Sequence, residues 1–317
     1  MVNLAGTLLL ALVRRIRRGG LIINEHSLTK TQTRFHVQVL SRWFDFIKLE
    51  DLPRCMARPT RRPFCLLTFD DGKHTQFAEV APELERLRVP AVFYVTTKAA
   101  TTGSCLWFDR RAQLIKAIGH CPRELELDIL KQLPFDLLAA RLERACVNWR
   151  FEPQDESCEY RPMSWEEARS LNRRGFAIGA HGVTHAILTR ESRERAFAEI
   201  EESLETVTRE VGTPCRTFAF PNGNYNTELT QHALFCGAHT VMTSDPRWVD
   251  QRAALRRLPR VQLFGSASRA RIETKVALAA FKGGLRNPNG SGRWGRRAAQ
   301  NDVAALPMGA PLGKMRR

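Results

Sequence analysis

An apolar run at residues 66–69 precedes a helical pattern around residues 82–87. The β-branched and aromatic stretch Val89-Pro90-Ala91-Val92-Phe93-Tyr94-Val95 follows. Two buried strands joined through a helix at this spacing lie parallel, and a parallel sheet is covered on both faces. Further short apolar runs recur at Gly20-Leu21-Ile22-Ile23, Phe176-Ala177-Ile178, Thr217-Phe218-Ala219, Thr240-Val241-Met242 and residues 258–263. Helical periodicity separates most of them, as at Phe35, Val39, Leu40, Trp43 and Phe44, and again over residues 191–211 up to Gly212. Ser164 and Glu167 make a capping box for another helix. The chain therefore reads as α/β, with the strands supplying the core.

The first of these strands ends in Asp70-Asp71-Gly72. Adjacent residues on an extended backbone point to opposite sides, so the two carboxylates suit two tasks rather than one shared proton. One can act on a proton while the other holds a cation. The plain alternative is an Asp-Asp-Gly turn closing a strand. Further along, another short strand leads into His181-Gly182-Val183-Thr184-His185. Histidines four apart on one helical turn reach a common ion, and two imidazoles with one carboxylate leave positions open for water. No Glu stands between them as in His-Glu-x-x-His proteases, so a base must come from elsewhere, and Asp70 adjoins Asp71.

Thr68-Phe69-Asp70-Asp71-Gly72 and His181-x-x-x-His185 together resemble the first two motifs of the polysaccharide deacetylase family, the NodB-like carbohydrate esterases. The likeness spans roughly residues 20–265 and implies a distorted (β/α) barrel. It implies Asp70 as general base and Asp71, His181 and His185 as ligands of a divalent metal, Zn²⁺ by default, with Co²⁺, Ni²⁺ or Mn²⁺ as alternatives. Gly182 replaces the hydroxyl residue usual in the second motif. Ala219-Phe220-Pro221-Asn222-Gly223 resembles the third motif, with Ala219 where the family has Arg and Asn222 where it has an aromatic residue. By resemblance, Asn222 gives a backbone N–H to the oxyanion, whereas the Arg that orients the base has no counterpart in that motif. In one branch of the family an early strand ends in Tyr-His, with the His as catalytic acid. Here Glu25-His26 occupies that place, and no His follows His239, so His26 is the expected acid. Trp248 is the candidate for the substrate-binding tryptophan of the fourth motif, although Pro246-Arg247 break the usual Asp-Trp pair. His74 follows the carboxylates closely enough to approach the same pocket.

Residues 100–162 interrupt the alternation with helical pieces and read as an insertion over the barrel mouth, shaping access without chemistry of its own. The expected organisation is an N-terminal helix over residues 1–19, a catalytic domain over 20–265 and a basic, largely disordered tail over 266–317, with a short helix at its start. Net charge is +16, and from Gln251 onward fifteen Lys and Arg face two acidic residues, so much of the excess belongs to the tail. Such a tail is either solvated or a contact for anionic surfaces. A specific nucleic-acid partner is not expected, because no motif accompanies the charge and only three Tyr occur.

The apolar stretch from Leu4 to Val13 precedes Arg14, Arg15, Arg17 and Arg18. That order is the reverse of a secretory signal, and the run is too short to span a bilayer. It reads either as a first helix packed on the domain or as an anchor lying at a membrane surface. Eight scattered Cys without Cys-x-x-Cys spacing fit free thiols in a reducing, cytoplasmic setting. The expected activity is hydrolysis of N-acetyl groups on an amino-sugar glycan or glycan precursor. Two alternatives are an amidohydrolase acting on a non-sugar C–N bond and a catalytically impaired glycan-binding relic.

Overall fold

The computed structural model describes residues 4–16, 18–58, 60–154, 159–250, 253 and 255–281. Eight strands form one sheet: β1 (Gly20–Glu25), β2 (Asp45–Phe46), β3 (Phe64–Phe69), β4 (Ala91–Val95), β5 (Ala177–Ala180), β6 (Thr217–Ala219), β7 (Thr240–Met242) and β8 (Val261–Gln262). All the pairings are parallel, in the order β7-β6-β5-β4-β3-β1-β8, with β2 on the side of β3. Every residue of β1, β3 and β4 is buried, which explains why these strands read as continuous apolar runs rather than alternating ones.

The sheet curls into a half-barrel. Residues 255–258 hydrogen-bond to β7, through Val241 N–H to the Leu255 carbonyl and Leu258 N–H to the Val241 carbonyl. Three residues later β8 pairs with β1. One short stretch thus spans the gap between the two ends of the sheet, and Arg260 lies in it, fully buried.

Helices cover the outside. α1 (Leu4–Ile16), α2 (Lys30–Ser41) and α3 (Leu52–Ala57) precede β3, and α4 (Ala81–Leu87), entered through a π-turn at Gln76–Val80, crosses from β3 to β4. α5 (Thr97–Thr102), α6 (Trp107–Ile118), α7 (Leu127–Leu130) and α8 (Phe135–Asn148) follow β4. Most of this interruption buries its own small core, built on Trp107, Leu114, Leu125, Leu138 and Leu142. α9 (Trp165–Arg173) starts at Ser164 with both halves of the expected capping box made. α10 (Arg193–Val211) ends at left-handed Gly212, and α11 (Thr227–Phe235) connects β6 to β7.

α12 (Arg269–Ala279) packs on α1 and α2 and buries Ile272, Val276, Ala277 and Ala279. The folded body therefore continues past residue 265, and the rest of the expected tail, residues 282–317, lies outside the described residues. α1 buries Leu10 and Val13 while Leu8 and Leu12 face solvent. Among the described residues no helix is long and apolar enough to cross a membrane.

Candidate active site

The C-terminal ends of β1, β3, β5 and β6 converge on a cavity of about 330 Å³, where His26, Asp70, Asp71, His181, His185 and Asn222 all contribute to the lining. Parallel strands deliver their last residues to one end of a barrel, which is why motifs far apart in the chain meet there. The turn after β3 places Asp71 at φ 79° and Gly72 at φ 70°. A Cβ on residue 72 would sit 2.9 Å from the Val95 Cα, so only glycine lets this turn lie against β4. His185 and Asn222 also adopt left-handed backbone conformations, at φ 61° and 57°. Strained backbone of this kind persists where surrounding packing enforces it, and it gathers at functional sites.

Asp71 Oδ1 lies 3.3 Å from His185 Nε2 and 3.8 Å from His181 Nε2. One ligand atom from each of the three residues lies within 4.8 Å of the other two, and all three side chains are buried. His181 Nδ1–H donates to the Ala219 carbonyl at 2.8 Å, which leaves the lone pair on Nε2 facing the carboxylates. Asp71 Oδ1 and His185 Nδ1 are buried without a hydrogen-bond partner. A buried carboxylate oxygen left bare between two imidazoles is what a divalent cation would satisfy, so the donor set fits such an ion. Burial would raise the Asp71 carboxyl, but its interactions with His26, His185 and Lys73 outweigh that and hold the group well below the usual range. Burial pushes His181 down to about 4, which keeps it neutral and ready to ligate.

The loop carrying the histidines is held from behind by Glu199 of α10. This buried carboxylate accepts the Val183 N–H at 2.7 Å, the Thr184 N–H at 2.9 Å and the Thr184 hydroxyl at 2.5 Å. Gly182 has φ 75°, and a Cβ there would approach Glu199 Oε2 to 3.2 Å, which accounts for glycine where the family motif has a hydroxyl residue.

Asp70 is gripped by a residue that sequence reasoning did not single out. Arg260 Nη1 and Nη2 donate to Asp70 Oδ1 and Oδ2 at 2.6 and 2.7 Å. Its Nε donates to the Thr243 carbonyl at 3.0 Å, Nη1 reaches Thr68 Oγ1 at 3.2 Å, and the guanidinium lies over the Tyr94 ring. Burial would raise Asp70, but the Arg260 charge and its hydrogen bonds overcome it and lower the carboxyl below its ordinary value. Asp70 Oδ2 is 4.0 Å from His181 Nε2, so the carboxylate borders the position that the three ligands surround.

His26 lines the cavity, and its carbonyl accepts from Gln76 Nε2, which also donates to the Asp70 carbonyl. Glu25 points elsewhere, to His36 Nδ1 at 2.7 Å. Asn222 occupies the turn after β6. Trp248 does not join them. Its Nε1–H donates to the Arg18 carbonyl at 2.7 Å, its ring rests against Phe44, and Val249 beside it bridges Gly20. Gly20 begins β1 and His26 follows its end, so Trp248 sits at the opposite end of the barrel from the pocket. His74 is bound to Glu167 and Arg161 and does not line the cavity.

The aromatic walls come instead from the start of α6. Trp107 and Phe108 line the cavity, with Leu127 and Lys131. Phe108 meets His185 edge to face at 5.0 Å, and Trp107 Nε1–H donates to the His185 carbonyl. Lys73 anchors this helix by a 2.7 Å ion pair to Asp109.

A family profile described as polysaccharide deacetylase matches residues 57–241. Solved structures with the same fold include the Streptococcus pyogenes deacetylase PplD in complex with acetate, at 13% identity and TM-score 0.58, covering 81% of this chain and 97% of that one. The BpsB deacetylase domain from Bordetella bronchiseptica aligns at 16% identity and TM-score 0.56, covering 77% and 96%. IcaB from Ammonifex degensii aligns at 14% and 0.57, covering 82% and 98%. No curated protein sequence matched the chain. At these identities the structures attest the fold, while the profile covers more than half of the chain. The chain belongs to the polysaccharide deacetylase family.

Proposed function

We propose that this protein is a metal-dependent hydrolase that removes N-acetyl groups from an amino-sugar glycan or glycan precursor. The observation that carries the reading is the buried Asp71, His181 and His185 set facing one point beside the Arg260-bound Asp70. A divalent ion held there, Zn²⁺ by default, would acidify water and polarise the acetyl carbonyl. Asp70 takes the proton of the attacking water, and Arg260 keeps that carboxylate ionised and aimed. The Asn222 N–H donates to the oxygen that gains charge. His26 gives a proton to the amine as the C–N bond breaks, so acetate and a free amino sugar leave. Phe108 and Trp107 offer an apolar wall to the sugar ring.

A non-catalytic relic would follow from loss of both the Arg and the aromatic residue of the third motif, and the guanidinium on Asp70 answers the first of these losses. The test is acetate release from N-acetylglucosamine oligomers by wild type and Asp70→Asn. Loss of turnover on substitution supports the assignment, and equal rates reject Asp70 as base. Ring opening or ammonia release without acetate would favour a non-sugar amidohydrolase.

The free thiols at Cys55, Cys65, Cys121, Cys146, Cys215 and Cys236 support a cytoplasmic setting. Exposed Leu8 and Leu12 near exposed Arg15 and Arg18 support peripheral contact with an anionic membrane. Flotation with anionic vesicles that is lost in Leu8→Ser/Leu12→Ser would support that contact.

A further inference from the structure

We propose that Glu201, His232 and Cys236 form a second divalent-metal site, on the outer face of the barrel between α10 and α11, suited to a borderline-soft ion such as Zn²⁺. One ligand atom of each lies within 4.8 Å of the other two. His232 and Cys236 stand four apart, on the same side of the end of α11, with Nε2 and Sγ 3.4 Å from each other. Zn–N and Zn–S bonds of roughly 2.0 and 2.3 Å at a tetrahedral angle require about 3.5 Å between those atoms.

The imidazole is already fixed. Its ring stacks on Phe197 of α10, with centroids 3.8 Å apart and planes within 4°. Glu201 lies one turn beyond Phe197 on the same helix and is exposed, so its carboxylate swings to the ion at low cost. Mixed imidazole, thiolate and carboxylate donors select Zn²⁺ or Co²⁺ over Mg²⁺ or Ca²⁺. On binding, the Cys236 S–H bond breaks, its proton passes to solvent and a metal–thiolate bond forms.

The ion would strut two elements of the catalytic pocket. α10 carries Glu199, which holds the histidine loop, and α11 follows the Asn222 turn. The site itself uses none of the catalytic residues and stands independently of the proposed activity.

Co²⁺ titration of the full chain tests the proposal, comparing wild type with Asp71→Asn, Cys236→Ser and Glu201→Ala. Thiolate-to-cobalt charge-transfer absorption should appear in wild type and in Asp71→Asn and vanish in Cys236→Ser. Wild type should bind two ions, and Asp71→Asn and Cys236→Ser one each. Glu201→Ala, a surface change that cannot unfold the chain, should keep the absorption but weaken binding at least tenfold. A wild type without the thiolate absorption, an absorption that survives Cys236→Ser, or unchanged affinity in Glu201→Ala would overturn the site.

Discussion

Arg260 and Asp70 form a bidentate ion pair at 2.6 and 2.7 Å, with both side chains withdrawn from solvent and 190 positions apart in the chain. The pair joins the short stretch that closes the barrel to the strand that opens the site. Its geometry gives the carboxylate a fixed direction, which a single lysine contact would not. Arg260→Met should lower acetate release about 100-fold, within the range a positioned base supplies. With the guanidinium gone the Asp70 carboxyl rises, so the acid limb of kcat/KM moves to higher pH. Ala219 ends β6, at the position where the family carries its arginine. Ala219→Arg placed on Arg260→Met should restore part of the rate and shift the limb back, as pH–rate profiles of the three proteins would show.

Glu199 makes three hydrogen bonds to the Val183–Thr184 backbone and hydroxyl. Glu199→Gln keeps the shape but weakens the two backbone contacts, and metal affinity at the catalytic site should fall about tenfold. Competition with a chelator, read in a Cys236→Ser background, measures this directly. Unchanged affinity would show that the loop holds its shape alone.

Lys73 and Asp109 tie the carboxylate turn to α6. Burial works against the Lys73 charge, but Asp109 and then Asp71 outweigh it and raise the amine; burial lifts Asp109 to about 6 against the pull of Lys73. Lys73→Met should cost about 3 kcal/mol in denaturant unfolding, because it strands a buried carboxylate. Lys73→Met/Asp109→Leu should recover most of that loss. A double variant as unstable as the single would mean that α6 depends on the charges themselves.

The sequence displayed those parts of the site that are compressed into a few adjacent residues. Asp70, Asp71, His181 and His185 stand within two heptapeptides because each ends a strand or fills the following turn, and the parallel sheet followed from apolar runs separated by helices. Arg260 was invisible because its partner lies across the barrel and nothing local marks it; β8 is two residues long, too short to show a period. The assignment of Trp248 failed for a related reason. Pro246-Arg247 break the Asp-Trp pair of the motif, and the backbone bridge from Val249 to Gly20 carries that tryptophan to the far end of the barrel. The aromatic wall could have been suspected from Trp107-Phe108 at a helix start. Only the fold shows that the insertion turns them onto His185.

Burial holds His181 at about 4, below its unfolded value of 6.5. The unfolded chain therefore takes up this proton first as pH falls. The stability associated with the neutral ring is present above pH 6.5 and is lost on the way down to about 4, on the order of 3 kcal/mol in the metal-free protein. Urea midpoints of metal-free protein across that window should fall with decreasing pH. His181→Gln should flatten that part of the curve.

In the proposed reaction Asp71, His181 and His185 hold one ion on which acetate release depends. The direct measurement is metal content and acetate release in parallel, for chelated and Zn²⁺-reloaded protein, in Cys236→Ser with and without Asp71→Asn. Cys236→Ser should bind one ion and lose turnover with it, regaining turnover on reloading, while the added Asp71→Asn should leave neither ion nor activity. Full acetate release from thoroughly chelated protein, or from the Asp71→Asn variant, would contradict the account.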